Sequence, residues 1–329
     1  MKPFKYTRAD SPKNAIRLVT AEQQAAFLGG GTNLIDLMKE GVTSPTALVD
    51  VTRLDLRQIT ETPDGGVRIG ALARNTETAN HPLIRERYPL LTQAILAGAT
   101  MQIRNMATNG GNLLQRTRCP YFYDTAMRCN KRQPGSGCDA MEGLNRTHAI
   151  FGWSEKCVAV HPSDMAVALA VFDPLVHVRG PSGQSMQFAY ADFHTLPGDE
   201  PQRDNALGHG DLIEAIELPK SPFGSHCYYL KVRDRASYAF ALVSVAAAVE
   251  LDGNTIREAR VALGGVAHKP WRAREAEKAL AGKPAAAESY AAAAEMELKA
   301  AKPLSHNAYK VPLAKHAIVR ALMRASGLA

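Results

Sequence analysis

Ala26-Phe27-Leu28-Gly29-Gly30-Gly31-Thr32-Asn33-Leu34 is the stretch whose reading decides how this chain folds. Three apolar residues make a short strand. The three glycines that follow have the most backbone freedom to lose, so they break regular structure. A helix resumes over 34–39, and Gly41 ends it. A strand that passes through glycines into a helix leaves consecutive N–H groups at a helix N-terminus, an arrangement suited to an anion. A pyrophosphate is the natural guest, with Thr32 and Asn33 as side-chain donors. The stretch is neither the dinucleotide fingerprint G-x-G-x-x-G nor a P-loop, and a tight structural turn without a ligand is its plain alternative.

Outward from it, Ser11 followed by Pro12 marks the start of a helix predicted over 11–25, and 46–51 reads as the next strand. Residues 1–56 are therefore a small α/β unit. Pro63-Asp64-Gly65-Gly66 predicts a hairpin into 67–70. Apolar residues at Leu83, Leu90, Leu91, Ala94 and Ile95 predict one helix over 82–98. Thr108-Asn109-Gly110-Gly111-Asn112 reads as a second glycine turn, with Arg104 upstream as a charge partner for phosphate. Two such turns suit a ligand with two phosphates. Residues 219–225 read as a linker. Beyond it, strands over 240–251 and 255–263 precede helices over 271–280, 284–301 and 312–324.

Residues 115–160 change character. They are rich in Arg, Cys, Pro and Gly and follow neither period, and so long an irregular segment is usually functional. Cys119, Cys129, Cys138 and Cys157 lie there, separated by nine, eight and eighteen residues. Four thiolates are what a [4Fe–4S] cluster needs. Zinc also accepts four, usually in C-x-x-C pairs, and no such pair occurs. The spacing is compatible with either metal, and with four buried or disulfide-linked cysteines. Seven Lys or Arg against four Asp or Glu in this segment would stabilise an anionic centre. Cys227 stands apart and reads as a small core residue.

The 329 residues suffice for two or three domains, and the 46% apolar and 22% charged composition is that of a globular protein. The net charge of +7 comes from the C-terminal third, where 16 Lys or Arg face 9 Asp or Glu over 226–329. No compact basic run or interleaved aromatic patch accompanies it, so a solvated or partner-facing surface is favoured over nucleic acid. No membrane-spanning run and no signal peptide are visible. Read alone, the chain is expected in the cytoplasm, unless a partner's signal carries it elsewhere.

Taken together, the motifs resemble the FAD-binding subunits of the xanthine dehydrogenase and aldehyde oxidoreductase family, the molybdenum hydroxylases. The pieces are Gly29 to Leu34, Arg104-Asn105-Met106-Ala107-Thr108-Asn109-Gly110-Gly111-Asn112-Leu113, Ser163-Asp164-Met165, Gly210-Asp211-Leu212-Ile213 and Lys231-Val232-Arg233-Asp234-Arg235. The resemblance implies an α+β fold: a two-part FAD-binding domain of the PCMH type and a C-terminal α+β domain of the CO dehydrogenase flavoprotein type. The first domain is expected over 1–222, with subdomains about 1–56 and 57–222, and the second over 226–329. The 115–160 insertion, which separates Asn112 from Ser163, is similar to the iron–sulfur insertion of periplasmic aromatic-aldehyde oxidoreductase flavin subunits. That likeness implies that Cys119, Cys129, Cys138 and Cys157 ligate a [4Fe–4S] cluster.

For FAD, the resemblance implies that Ala26, Phe27, Leu28, Gly29, Gly30, Gly31, Thr32, Asn33 and Leu34 cradle the pyrophosphate, and that Thr108, Gly110, Gly111 and Asn112 line its second side. It further implies that Asp164 accepts from a ribose hydroxyl, Ile213 packs on the cofactor and Lys231 lies near the isoalloxazine ring. The plain alternatives are a helix N-terminal charge, a core residue and a salt bridge. His161 is assigned no chemistry. The implied partners are a large molybdenum-cofactor subunit that oxidises an aldehyde and a small subunit with two [2Fe–2S] clusters, in a heterotrimer. Electrons would reach FAD on this chain and leave for an external acceptor such as a ferredoxin or oxygen. Co-export with a signal-bearing partner would place the complex in the periplasm. A 4-hydroxybenzoyl-CoA reductase-like flavin subunit and a zinc-stapled binding module without redox function are the alternatives.

Overall fold

The computed structural model describes residues 1–328. Its first sheet has three parallel strands in the order Lys5–Arg8, Ala47–Asp50, Ala25–Leu28. The helix Pro12–Thr20 crosses between strands, and the Ser11 side chain caps it by accepting from the Asn14 N–H at 3.2 Å. The helix stops earlier than its sequence pattern suggests, because Ala25 is recruited into the sheet opposite Ala47. The helix Leu34–Lys39 follows the glycine stretch, and Gly41 closes it with a φ of +74°.

The second sheet is antiparallel, in the order Ile59–Glu61, Val67–Gly70, Leu212–Leu218, Leu175–Arg179, Ser185–Ala189. The single helix expected over 82–98 is two, Pro82–Arg87 and Pro89–Ala97. Pro89 lacks an N–H and crowds the residue before it out of the helical region. Tyr88 duly takes φ −134° and ψ 52°. Its buried ring is held by a hydroxyl that donates to the Pro219 carbonyl at 2.7 Å.

The third sheet is also antiparallel, in the order Trp271–Arg272, Thr255–Gly264, Val243–Asp252, Cys227–Val232. The helices Arg274–Leu280, Ala287–Leu298 and Lys310–Ala325 pack with it around one core. The helix expected from Trp271 begins at Arg274, since Trp271 and Arg272 pair with Leu263 and Ala262 as an edge strand.

All nine residues of the helix Asp164–Phe172 are buried. It packs on the helix Pro89–Ala97 and on the strands Val243–Asp252 and Thr255–Gly264, and it shares one core with Val67, Ile69, Val176 and Ile216 of the second sheet, so it forms the seam between the second and third sheets. Its N-terminus, at Ser163 and Asp164, lies within that seam. The 115–160 segment contains one short helix, Pro120–Tyr123, and is otherwise irregular. No helix among the described residues is long and apolar enough to cross a membrane.

Candidate functional site

The glycine stretch leaves the C-terminal end of the strand Ala25–Leu28, where open parallel sheets offer a crevice for ligands. Among the described residues, none of the backbone N–H groups of 29–33 donates to a backbone carbonyl. The Asn33 side chain accepts from the Arg116 N–H at 2.8 Å, and its own buried Nδ2 has no partner. Free donors at the end of a parallel sheet fit the pyrophosphate of a dinucleotide.

The second glycine turn behaves differently. It is a helical turn, Asn109–Leu113, whose N-cap Thr108 accepts from the Gly111 N–H at 3.2 Å. The Gly110 N–H donates to Ala71 O and the Asn112 N–H to Thr108 O, both at 2.8 Å. Its amides are already spent inside the protein, so the turn is not a second anion nest. Its glycines serve contact. A Cβ on Gly30 would stand 1.9 Å from the Met106 carbonyl oxygen, and one on Gly29 or Gly111 would stand 3.0 Å from Thr108 Oγ1. The two turns are pressed together, and Thr108 retains a hydroxyl proton to offer at their junction.

The Asn112 side chain is likewise engaged within the protein. Its Nδ2 donates to Asn75 Oδ1 at 2.8 Å, and its Oδ1 accepts from Ser163 Oγ at 2.5 Å. This ties the turn to the helix that begins at Asp164. Asp164 Oδ2 accepts from Lys231 Nζ at 2.7 Å and Oδ1 from Tyr229 OH at 2.6 Å. Asp164 and Lys231, far apart in sequence, therefore meet as an ion pair whose side chains are only 8% and 4% exposed. Lys231 also donates to Ala97 O at 3.2 Å. Ile213 is a buried residue of the main core, opposite Val178 in the second sheet. His161 accepts from the Ser163 N–H at 3.3 Å and stacks edge-on against His194.

Asp164 and Ser163 line a cavity of about 230 Å³. Its other walls include Ser244 and Gly264 of the third sheet and Thr117, Cys119 and His148 of the insertion. A second, small cavity lies within the insertion. Cys119, Cys129, Cys138 and Cys157 all line it, with Asn130, Lys131 and Phe122. All four cysteines are free thiols. Cys129 and Cys138 face each other across an isolated antiparallel bridge, closed by the Asn130 N–H donating to Gly137 O at 2.7 Å. Thr117 and Cys119 line both cavities.

Burial pushes the Cys119 thiol up to about 12 and the Cys157 thiol to about 11. A metal would have to displace those protons, which is the usual coupling of thiolate ligation to pH. No group of three or more His, Cys, Asp or Glu among the described residues is arranged to hold a metal ion. Zinc requires four sulfurs at about 2.3 Å from one atom, hence nearly touching, whereas a four-iron cluster is held one sulfur per iron and spreads its ligands more widely. Four cysteines that share a cavity without converging on one point fit the cluster better than the single ion.

The insertion grips its surroundings through groups with no local sequence signal. Lys131 Nζ, fully buried, contacts Asp204 Oδ1 at 2.5 Å, Pro201 O at 2.7 Å and His268 Nε2 at 2.6 Å. Asp204 also accepts from Arg116 Nε at 2.8 Å. Tyr123 OH donates to Asp36 at 2.9 Å, beside the first glycine turn. At the other end, Lys310 Nζ donates to the carbonyls of Thr147 and His148 at 2.9 Å and of Gly265 at 2.7 Å. The insertion therefore joins the first sheet's helix to the third sheet's domain.

An FAD binding domain of molybdopterin dehydrogenases matches residues 2–221, and a CO dehydrogenase flavoprotein C-terminal domain matches residues 228–325. The aldehyde oxidoreductase FAD-binding subunit PaoB of Escherichia coli K12 is 49% identical over 99% of each chain. The glyceraldehyde dehydrogenase medium chain of Sulfolobus acidocaldarius is 30% identical over 85% of this chain and 82% of its own. Among solved structures, cyanide-inactivated Cu,Mo-CO dehydrogenase superposes with a TM-score of 0.78, covering 100% of this chain and 99% of its own at 23% identity. That last likeness is one of fold.

Proposed function

The chain belongs to the family of FAD-binding subunits of the molybdopterin dehydrogenases, and from that premise we propose that it is the electron-handling subunit of a molybdenum-dependent aldehyde oxidoreductase, carrying FAD and a [4Fe–4S] cluster. A large subunit with the molybdenum cofactor oxidises the aldehyde, and a small subunit with two [2Fe–2S] clusters relays the electrons. Bound FAD would supply the exchange between these one-electron carriers and the external acceptor, a ferredoxin or oxygen. The complex is exported on the signal of a partner.

Within the chain, residues 26–34 cradle the pyrophosphate, with the free N–H groups of 29–33, and the Thr108 hydroxyl closes the second side. Gly110, Gly111 and Asn112 hold the two turns together. Asp164 offers a carboxylate to the ribose, oriented by Lys231 and Tyr229, while Lys231 holds a positive charge behind Asp164, toward the isoalloxazine ring. Ile213 supports the site from the core. Cys119, Cys129, Cys138 and Cys157 hold the cluster.

The observation that carries this reading is the four-cysteine cavity sharing Thr117 and Cys119 with the cavity lined by Asp164. A redox centre in the first would be a near neighbour of a flavin at the second. An absorption spectrum with iron and zinc analysis of the purified chain tests it. Flavin bands, a broad iron–sulfur shoulder and four irons per chain are expected. Cys138→Ser should remove the shoulder and leave FAD bound. A colourless chain containing zinc would refute the redox assignment.

A further inference from the structure

His148 stands in the larger cavity's wall against one of the four cysteines, and the proposed function gives it no role. Its Nε2 lies 3.1 Å from Cys119 Sγ. Its ring is buried and lines the larger cavity, on the side that leads to Ser163 and Asp164. Its Nδ1 has no partner among the described residues. A neutral imidazole carries one N–H. A thiolate accepts a hydrogen bond and no acceptor lies at Nδ1, so the proton belongs on Nε2, directed at the sulfur.

The ring has little freedom to leave this position. The His148 carbonyl accepts from Lys310 Nζ at 2.9 Å and from Asn307 Nδ2 at 3.2 Å, and its N–H donates to Asn145 O at 3.1 Å. Asn145 is itself fixed to the C-terminal domain through Ser305 and His306. Both flanks of the histidine are thus held by chain outside the insertion. A side chain placed so firmly against one cysteine, with no other polar contact, has that sulfur as its only evident object.

We propose that His148 is a positioning residue that sets the reduction potential of the cluster through a hydrogen bond to Cys119, on the side of the cluster that faces the flavin cavity. The inference rests on the cluster assignment made above. Hydrogen bonds to cluster sulfurs stabilise the more negatively charged, reduced form and raise the potential. The bond to Cys119 would lift the cluster toward the flavin's range. It would also pull electron density toward the ligand that both cavities share.

The test uses the full chain purified by itself, so that no other subunit's clusters contribute. His148→Phe keeps a ring but loses the donor, and His148→Gln keeps a donor. Iron and FAD are quantified, and the cluster is titrated by EPR against potential. The expected result is four irons in all three proteins, a midpoint in His148→Phe more negative than wild type, a midpoint in His148→Gln restored toward wild type, and an unchanged flavin midpoint. Equal cluster midpoints in His148→Phe and wild type overturn the inference. So does an equal shift in both variants, and so does loss of iron from either, which would make His148 a ligand or an assembly residue. A wild-type chain without iron overturns the cluster assignment, and this inference with it.

Discussion

Gly30→Ala tests whether the two glycine turns must touch. Gly30 has an ordinary backbone conformation, so strain in φ is not the issue; space is. The added Cβ would lie 1.9 Å from Met106 O, 2.7 Å from Met106 C and 3.1 Å from Ala107 Cα. All three are backbone atoms, which cannot swing aside as a side chain does. Overpacking costs about 1–3 kcal/mol, and an obstruction made of backbone belongs at the upper end. At about 2–4 °C per kcal/mol for a domain of this size, the melting temperature should fall by roughly 6–12 °C.

The turns would part, and, if the proposed cradle is right, FAD should be lost as well, since the cradle needs the free N–H groups and the Thr108 hydroxyl side by side. Gly41→Ala is the control. Its φ of +74° imposes left-handed strain, but nothing lies within 4 Å of the added carbon, so it should cost about 1–2 kcal/mol and leave FAD content intact. Differential scanning fluorimetry with and without added FAD, together with FAD released per chain, reads both effects. A Gly30→Ala protein with wild-type melting temperature and FAD content would refute the reasoning.

Asp164→Asn should destabilise the chain by about 3–5 kcal/mol, because it strands the buried Lys231 ammonium. The double substitution Asp164→Asn with Lys231→Met should recover part of that loss, and additive losses in chemical denaturation would sink the claim of coupling. Asp50 gives a pH prediction. Burial raises its carboxyl, but bonds from Tyr6, Thr52 and Arg8 outweigh burial and hold it at about 2. Its unfolded value is about 3.9, so the carboxylate stabilises the fold above that pH by about 2–3 kcal/mol, and the contribution is lost as pH falls toward 2. Asp50→Asn should therefore be less stable than wild type at pH 6 and nearly equal to it near pH 2. A difference independent of pH would exclude the carboxylate as its source.

Much of the first subdomain could be read from local patterns. The Ser11-Pro12 start, the apolar run into Gly29 and the helix over 34–39 obey rules that need only neighbouring residues. The four cysteines could be grouped because nothing else in 115–160 had a period. The misreadings have local and distant causes. Pro89 should have broken the 82–98 helix, since the signal was in the sequence and the apolar spacing masked it. Trp271 looked helical because an edge strand of two residues is defined by its partner, not by itself. The second glycine turn resembled the first, yet the acceptors that occupy its amides include Ala71, which no spacing rule connects to Gly110. Lys131, Asp204 and His268 are brought together only by the fold, as are His148 and Cys119.

Lys310 has a consequence for how the molecule is made. Its three hydrogen bonds fix the carbonyls of Thr147, His148 and Gly265, so the wall of the larger cavity beside Cys119 is braced by the helix Lys310–Ala325, which is made after all four cysteines. Folding proceeds from the N-terminal side during synthesis, and all four cysteines emerge long before that helix exists. During that interval the carbonyls of Thr147 and His148 lack the ammonium that fixes them. The wall beside Cys119 is therefore completed only when the helix Lys310–Ala325 folds onto it.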